Sequence, residues 1–364
     1  MVDIRVRGAS IFAHSRRTQG KKVVERRFAE DLEYEPAPYG FNLAASPTIK
    51  MAYSEDSFPF TMKQSLINRL SIDPIHALAN AWRMRRADAI WTILEWEWLS
   101  VSLLQRLRIV PRVPVIANSV WLFQDWQKWS EKKRRLFRWL MTDNVVLTVH
   151  AKTSLDIART ALPEKDFQLS YFGVSTNAFP LMPPVPTQAD SRPIRIYSIG
   201  HDRTRDWKAL MDAFGNDDRF EVRLVCRWTE DVIDPSAYNN FTQPPGRTMT
   251  EMRANYAWAD IVVVPMFDNV FSGITVALEG AAVGKPVICS RTGGVPTYFD
   301  EDEVIFVPPG DPTALRDAAL SDPAILLSRA VRAQARFVES GYSAAAMMDR
   351  YLTLTNQALS RTAK

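Results

Sequence analysis

The chain is poor in residues that staple or cage. Of its 364 residues, only two are cysteine and four are histidine. Cys226 and Cys289 each end an apolar, strand-like run, EVRLVC and KPVIC. That setting predicts two buried, reduced thiols rather than a disulfide framework. The histidines are scattered, so no metal-ligand spacing arises and no metal is expected. No apolar run reaches the roughly eighteen residues of a membrane-spanning helix. The opening stretch MVDIRVRGASIFAHSRRTQGKK scatters charge and has no apolar core of leader type. A cytoplasmic protein is the expectation. Glycine is also sparse, at 14 residues. Yet FSGITVALEGAAVGKPVICSRTGGVP, residues 271–296, gathers Gly273, Gly280, Gly284, Gly293 and Gly294 around one carboxylate, Glu279.

What is present is globular. Hydrophobic residues make up 46% and charged residues 24% of the chain, and the length suits two or three domains. The net charge of +4 is mild, so its distribution matters more. Arg5, Arg7, Arg16, Arg17, Lys21, Lys22, Arg26 and Arg27 crowd the start. The stretch WLFQDWQKWSEKKRRLFRW, residues 121–139, mixes Lys132, Lys133, Arg134, Arg135 and Arg138 with Trp126, Trp129 and other aromatics. Such a mixture suits an anionic membrane surface. It also suits nucleic acid, or a solvated helix face whose aromatics enter the core.

From about residue 193 the pattern alternates. Strand-like RIYSIG, EVRLVC, IVVVP, PVICS and VIFVP are separated by helix-like WKALMDAFG, EMRANYAWA, GITVALEGAAVG and TALRDAAL. This predicts βαβ units on a parallel sheet. In the first half, DAIWTIL (88–94), PVIAN (114–118), VVLTV (145–149) and FQLSYF (167–172) read as strands of a second α/β domain, while 31–65 stays unassigned. The predicted division is 1–180, a proline-rich linker 181–192, a second domain 193–341, and a C-terminal helix within 342–364 that returns to the first.

An open parallel sheet binds ligands beyond the carboxyl ends of its strands. IVVVP ends at Pro265, and a helix start is expected near Ser272, a good N-cap. Gly273 would leave the first amides open to an anion, suiting a diphosphate. Glu279, about seven residues on, lies roughly 10 Å along the helix. That is a fitting distance for a ribose held through its hydroxyls. Gly280 and Gly284 would let the helix sit close to the sheet. Gly293 and Gly294 would offer backbone amides to an anion.

The run from Ser272-Gly273 to Leu278-Glu279, then GKPVI (284–288) and Gly293-Gly294, resembles the donor signature of nucleotide-sugar glycosyltransferases of the GT-B fold. It is most similar to family four, the group 1 transferases of exopolysaccharide type. YFGVSTNAF (171–179), SIGHDRTRDWKALMDAF (198–214) and FVPPGDPTALRDA (306–318) resemble further motifs of that family in the same order. The resemblance implies two Rossmann-like domains facing a central cleft. It implies that Glu279 binds the nucleotide ribose and that Arg203 and Arg205 face the donor diphosphate. Ser272, Gly273, Ile274 and Gly173 would complete the donor contacts, with Gly293 and Gly294 as a phosphate or sugar loop. No cofactor is implied beyond the donor substrate, a UDP-sugar rather than a GDP-sugar. The sequence departs where the family places a first glutamate, because Phe271 stands there.

In the first domain, Glu95 and Glu97 of TILEWEWLS follow a strand. Its continuation would put both on one face as candidate bases, with Asp125, His150 and His14 as weaker ones. The resemblance implies transfer of a sugar to a hydroxyl of a glycan acceptor, a lipid-diphosphate-linked oligosaccharide at the inner membrane surface, with retention. The partners expected are a nucleotide sugar, that acceptor and the anionic membrane, and no nucleic acid. The protein is then cytoplasmic and peripheral at the inner face of the plasma membrane. Two alternatives stay open: an inverting transferase using Glu95 or Glu97, and a non-catalytic membrane-associated nucleotide-binding subunit. An epimerase of the same fold is disfavoured because the match is to transferase motifs, and a phosphorylase because no lysine site for pyridoxal phosphate is evident.

Overall fold

A computed structural model describes residues 9–14, 33–55, 71–186, 192–226, 237–246 and 248–362. The basic residues of the opening stretch lie outside the described residues, as do linker residues 187–191. The chain divides into two compact units, residues 1–171 with 344–364, and residues 172–343. The change of unit falls at Tyr171–Phe172, ahead of the proline-rich stretch.

Unit 1 carries β1 (Ala9–Ala13), β2 (Ile49–Tyr53), β3 (Ala89–Thr92), β4 (Val115–Ser119), β5 (Val145–Val149) and β6 (Phe167–Leu169). They form one six-stranded sheet in the order β2-β1-β3-β4-β5-β6. Every pairing is parallel. The order reverses between β1 and β3, so the crevice of this sheet lies beyond their carboxyl ends. The helices are α1 (Pro74–Ala79), α2 (Ala81–Met84), α3 (Glu95–Arg106), α4 (Glu131–Leu140) and α5 (Lys152–Ala161). Trp98, Leu104, Phe137 and Trp126 share the core with β3–β5.

Unit 2 carries β7 (Ile194–Gly200), β8 (Phe220–Cys226), β9 (Phe241–Thr242), β10 (Ile261–Val264), β11 (Val287–Ser290) and β12 (Ile305–Val307). Their order is β12-β11-β10-β7-β8-β9. All pairings are again parallel. Here the order reverses between β7 and β10. The helices are α6 (Trp207–Phe214), α7 (Met249–Trp258), α8 (Ile274–Ala282), α9 (Pro312–Ala319) and α10 (Pro323–Glu339). The strands are short and apolar on both faces because helices cover both. Residues 172–186 belong to this unit: Met182 N donates to Ala282 O and Arg253 Nη1 to Asn177 O.

The last helix, α11 (Ala344–Thr362), packs within unit 1. Tyr351 Oη donates to Thr92 O (3.1 Å), and Trp91 Nε1 donates to Thr355 Oγ1 (2.8 Å). The Trp91 and Tyr351 rings meet edge to face at 5.3 Å. Among the described residues, no helix is long and apolar enough to cross a membrane.

The basic aromatic stretch is only partly a surface. Trp126 is 1% exposed and packs in the core, so it takes no part in any exposed patch. Trp129 is half-buried between Trp126 and Phe137. Lys133 is held there too, with its Nζ on Ser71 Oγ (2.8 Å) and over the Trp129 ring (4.2 Å). Arg134, Arg135 and Arg138 each pair with Glu131. The residues of α4 that remain exposed are Glu131, Lys132, Arg135, Leu136 and Trp139. Helix period explains the split: aromatics expected on one patch fall on both sides of α4.

Candidate donor site

At the switch point of unit 2, the loop after β7 (201–206) lies against the loop after β10 (265–273). Asp206 N donates to Pro265 O (3.1 Å) and Phe267 N to Thr204 O (2.8 Å). Arg205 and Met266 form an isolated bridge. Asp206 then caps α6 by accepting from Ala209 N (2.9 Å).

Arg205 is buried beneath this pair of loops, 7% exposed. Its side chain lies over Gly200, where a Cβ would stand 2.3 Å from Arg205 Nε. Its nearest carboxylate is Asp202, whose Oδ2 is 3.6 Å from Nε. Nε and Nη1 have no hydrogen-bond acceptor among the described residues. Burial pushes the Arg205 pKa down, and Asp202, Tyr256 and Glu279 oppose that push. A buried guanidinium with orphaned N–H groups is costly by itself. It is the arrangement an anionic ligand would relieve. Arg203, two residues earlier, is exposed.

Asp202 also ties the loops together. It accepts from Ser272 Oγ (3.0 Å) and Thr204 N (2.9 Å), and its carboxylate bonds the Thr204 hydroxyl. Ser272 is therefore not the N-cap expected of it. Gly273 occupies that position with φ +92, and α8 begins at Ile274. Only glycine takes that φ without strain. Its missing side chain also clears Met266 and Val295, since a Cβ would be 2.7 Å from Met266 Sδ.

Asn269, unmarked in the sequence reading, organises this turn. Its Oδ1 accepts from Phe271 N (3.1 Å) and Ser272 N (2.7 Å), while its own N donates to Thr292 Oγ1 (3.0 Å). The cue was local, because an Asn before a helix start bonds backbone groups two or three residues on. Gly293 N donates to Asn269 O (3.1 Å) and Gly294 N to Ser272 O (3.0 Å). These two amides knit the loops together. They do not face an open anion site, which corrects the expectation of a phosphate loop at Gly293 and Gly294. Phe271 is buried at 8% exposure, and Asp268 Oδ1 accepts from Thr292 Oγ1 (2.7 Å). Gly173 is buried on a segment anchored by Tyr298, whose hydroxyl accepts from Phe172 N (2.8 Å).

Glu279 sits in the second turn of α8 and is 5% exposed. Its Oε2 accepts from Tyr256 Oη on α7 (2.6 Å). Tyr256 packs edge to face on Tyr197 (4.9 Å) and Phe179 (5.4 Å). Burial and the Glu279 charge hold its hydroxyl well above the ordinary phenol pKa, so it donates at any ordinary pH. Gly280 lies against Val287 and Val262, seating α8 on the sheet.

In unit 1 the strand expected to carry Glu95 and Glu97 ends at Thr92, and both residues start α3 instead. Carboxylates suit a first helical turn because free amides and the helix dipole favour them. Glu97 Oε2 accepts from Ile93 N (2.9 Å) and Leu94 N (3.1 Å), which makes it a cap. Glu95 Oε2 accepts from Val120 N (3.1 Å) and Trp121 N (3.2 Å), tying α3 to the loop after β4. Burial raises the Glu95 pKa to about 7, against the lowering effect of those amide bonds. Below pH 4.5 the residue is neutral folded or unfolded. Between pH 4.5 and about 7 the fold holds a proton the unfolded chain releases, so stability falls as pH rises. At 1.36 kcal/mol per unit, the full cost above pH 7 is about 3 kcal/mol. Glu95→Gln is therefore expected to gain up to that amount relative to wild type at pH 8 and little at pH 4.5. Urea denaturation at both values checks this; equal differences at the two would refute it.

His150 follows β5, and its Nδ1 donates to Ser170 O (2.6 Å). Burial lowers its pKa to about 4, leaving it neutral at pH 7. His14 follows β1 and stacks on His76 at 4.7 Å; burial, then the His76 charge, holds its pKa well below the usual value. Asp125 Oδ1 accepts from exposed Lys128 Nζ (2.9 Å). Among the described residues, no group of three His, Cys, Asp or Glu side chains is placed to hold a metal ion.

Two doubly wound units of this kind, with loops paired at a switch point, define a GT-B-type α/β architecture, and solved structures share it. HepE (Alr3699) of Anabaena, solved with UDP and glucose, aligns over 97% of this chain and 99% of its own. The TM-score is 0.61 at 14% identity. Sucrose-phosphate synthase of Thermosynechococcus elongatus aligns over 97% and 100%, with TM-score 0.69 at 19% identity. Identities this low concern the fold alone. In sequence, residues 204–321 match the family model described as Glycosyl transferases group 1. A D-inositol 3-phosphate glycosyltransferase of Corynebacterium glutamicum (strain R) is 42% identical over 73 residues. That match spans 20% of this chain and only 17% of the relative.

Proposed function

We propose that the chain is a glycosyltransferase that moves a sugar from a nucleoside diphosphate sugar to a hydroxyl of a glycan acceptor. The observation that carries this reading is Arg205, a buried guanidinium with orphaned N–H groups beside the start of α8. A diphosphate would accept from its fork and from the first amides of α8, at the switch point where such sheets bind ligands. Glu279 would take the ribose hydroxyls. A UDP-sugar is the favoured donor, which the UDP complex of the Anabaena neighbour supports. In the transfer, the bond from the sugar's anomeric carbon to the β-phosphate oxygen breaks. A bond to the acceptor oxygen forms, and the acceptor proton goes to the departing diphosphate in a retaining reaction. Arg205 stabilises the charge that builds there.

The acceptor we propose is a lipid-linked oligosaccharide, reached by peripheral attachment to the inner membrane surface. The exposed Lys132, Leu136 and Trp139 of α4 support this, with Arg135 beside them paired to the equally exposed Glu131. An inverting second reading would use Glu95, because a pKa near 7 suits a general base. Glu95 and Glu97 each accept from two backbone amides, so both also hold the backbone in place.

A thermal-shift panel of UDP, GDP, ADP and CMP tests the donor reading, with transfer then assayed from the sugar nucleotide of the base that stabilises. UDP is expected to raise Tm most. No stabilisation by any of them would remove the donor reading. Stabilisation without transfer to any acceptor would favour a binding subunit.

A further inference from the structure

The loop joining α3 to β4 and the turns leading into β3 and β5 lie at the amino ends of unit 1's parallel strands. That edge is opposite to the carboxyl ends where substrates of such sheets bind. There the surface folds into a groove of about 740 Å³ lined by Arg85, Gln105, Arg106, Arg108, Arg112 and Thr142, together with apolar residues of the loop and no carboxylate. Its size is that of a small-molecule site.

All four arginines are exposed. Glu55 pairs Arg83, and Glu131 pairs Arg134, Arg135 and Arg138, but no carboxylate lines this groove. Among the described residues, none of Arg85, Arg106, Arg108 and Arg112 makes an ion pair. Three of them are instead fixed by neutral acceptors. Arg85 Nε donates to Ile109 O (3.0 Å), and Arg112 Nε to Asn144 Oδ1 (3.1 Å). Arg106 Nε and Nη2 donate to Trp139 O (3.1 and 2.6 Å). Each such bond holds one edge of a guanidinium and leaves further N–H groups to donate. Arg108 stands at φ +59, a left-handed conformation that residues other than glycine adopt only at a cost. Four like charges held together with no counter-ion raise one another's energy. A multiply charged anion in the groove removes that repulsion and accepts from several forks at once.

We propose that this groove is a second binding site, for a ligand bearing two or more phosphate groups, separate from the donor loops of unit 2. The chemistry is shared by soluble oligophosphates and by anionic lipid headgroups. Exposed Leu107 and Trp139 at its rim suit the second source, and the charge alone suits either.

The test uses the full chain at low salt, with inorganic tripolyphosphate in calorimetry and cardiolipin vesicles, whose headgroup carries two phosphates, in sedimentation, against phosphatidylcholine vesicles. Arg85→Gln/Arg108→Gln is expected to weaken the bound probe by about tenfold or more, because each lost fork removes charge-assisted bonds. The Tm without ligand should fall only slightly, through loss of the exposed Arg85 Nε bond to Ile109 O. Arg108→Glu alone is the second variant: Arg108 donates through its backbone N to Gln105 O, which any residue keeps, and no side-chain bond is lost among the described residues. Tripolyphosphate binding lost in the variants assigns a soluble ligand. Cardiolipin binding that the variants lose, with no tripolyphosphate binding by wild type, assigns a headgroup. A wild type that binds neither probe, or variants that bind as wild type does, would overturn the proposal.

Discussion

Arg205→Ala is expected to lower affinity for a nucleoside diphosphate by about 100-fold, within the roughly 2–5 kcal/mol that loss of one partner of a buried charge pair costs. The same substitution is expected to leave the ligand-free protein about as stable, or slightly more so. The two effects separate because Arg205 has little to lose without a ligand. Its Nε and Nη1 take no acceptor among the described residues, and its ion pair with Asp202 is long at 3.6 Å. Burying that cation costs the fold free energy that a poor pair does not return. Asp202 keeps Ser272 Oγ and Thr204 N when the guanidinium goes. A diphosphate, by contrast, would lose a two-pronged donor in a site closed to water. Arg205→Lys should recover only part of the affinity, because an ammonium cannot reproduce the fork. Thermal melts with and without UDP measure both quantities. A large fall in the ligand-free Tm with the UDP shift preserved would make Arg205 a structural residue and refute its role.

The parallel architecture was legible because strands buried on both faces leave continuous apolar runs, as IVVV and VVLTV do. The strands that went unassigned had different problems. β1, ASIFA, is flanked by basic residues that drew attention to charge, and β2, IKMAY, lies in a stretch full of proline and aromatic residues. Neither has a helix of clear period beside it to reveal a βαβ unit. Strand order is set by packing and crossover, and no local signal encodes it.

At the candidate site, Glu279 and Arg205 were visible as a carboxylate among small residues and an arginine in a loop after a strand. Their burial was not visible, nor were Tyr256 and Asp202, which reach them from elsewhere in the chain. Long-range hydrogen bonds leave no periodicity. Glu95 and Glu97 were misplaced for a simpler reason. TILEWEWLS supports alternation and helical period equally well, and the backbone cap that decides for a helix comes from the Glu97 side chain itself. The six basic residues of 121–139 showed the charge of a surface but not the rotation of α4, which buries Phe137 and leaves Trp139 half-exposed.

The second large effect is a loss of discrimination between ribose and deoxyribose. If Glu279 holds the ribose hydroxyls, wild type should prefer UDP over 2′-deoxy-UDP by about tenfold or more, the value of a hydrogen bond to a charged group. Glu279→Ala should bring that ratio close to one. The variant also strands the buried Tyr256 hydroxyl, so a stability loss of about 1–3 kcal/mol accompanies it. Stability alone therefore cannot establish the role, and Tyr256→Phe supplies the control. It keeps the rings on Tyr197 and Phe179 and removes only the donor that fixes Glu279 Oε2 at 2.6 Å. A carboxylate released from that bond points less consistently at the ribose, so discrimination should fall several-fold without vanishing, and UDP affinity should fall more than that of 2′-deoxy-UDP. A purely structural Tyr256 would weaken both nucleotides alike. Equal discrimination in wild type and Glu279→Ala would remove the ribose assignment. Lost discrimination in Glu279→Ala with full discrimination in Tyr256→Phe would keep Glu279 as the ligand and reject Tyr256 as the residue that positions it.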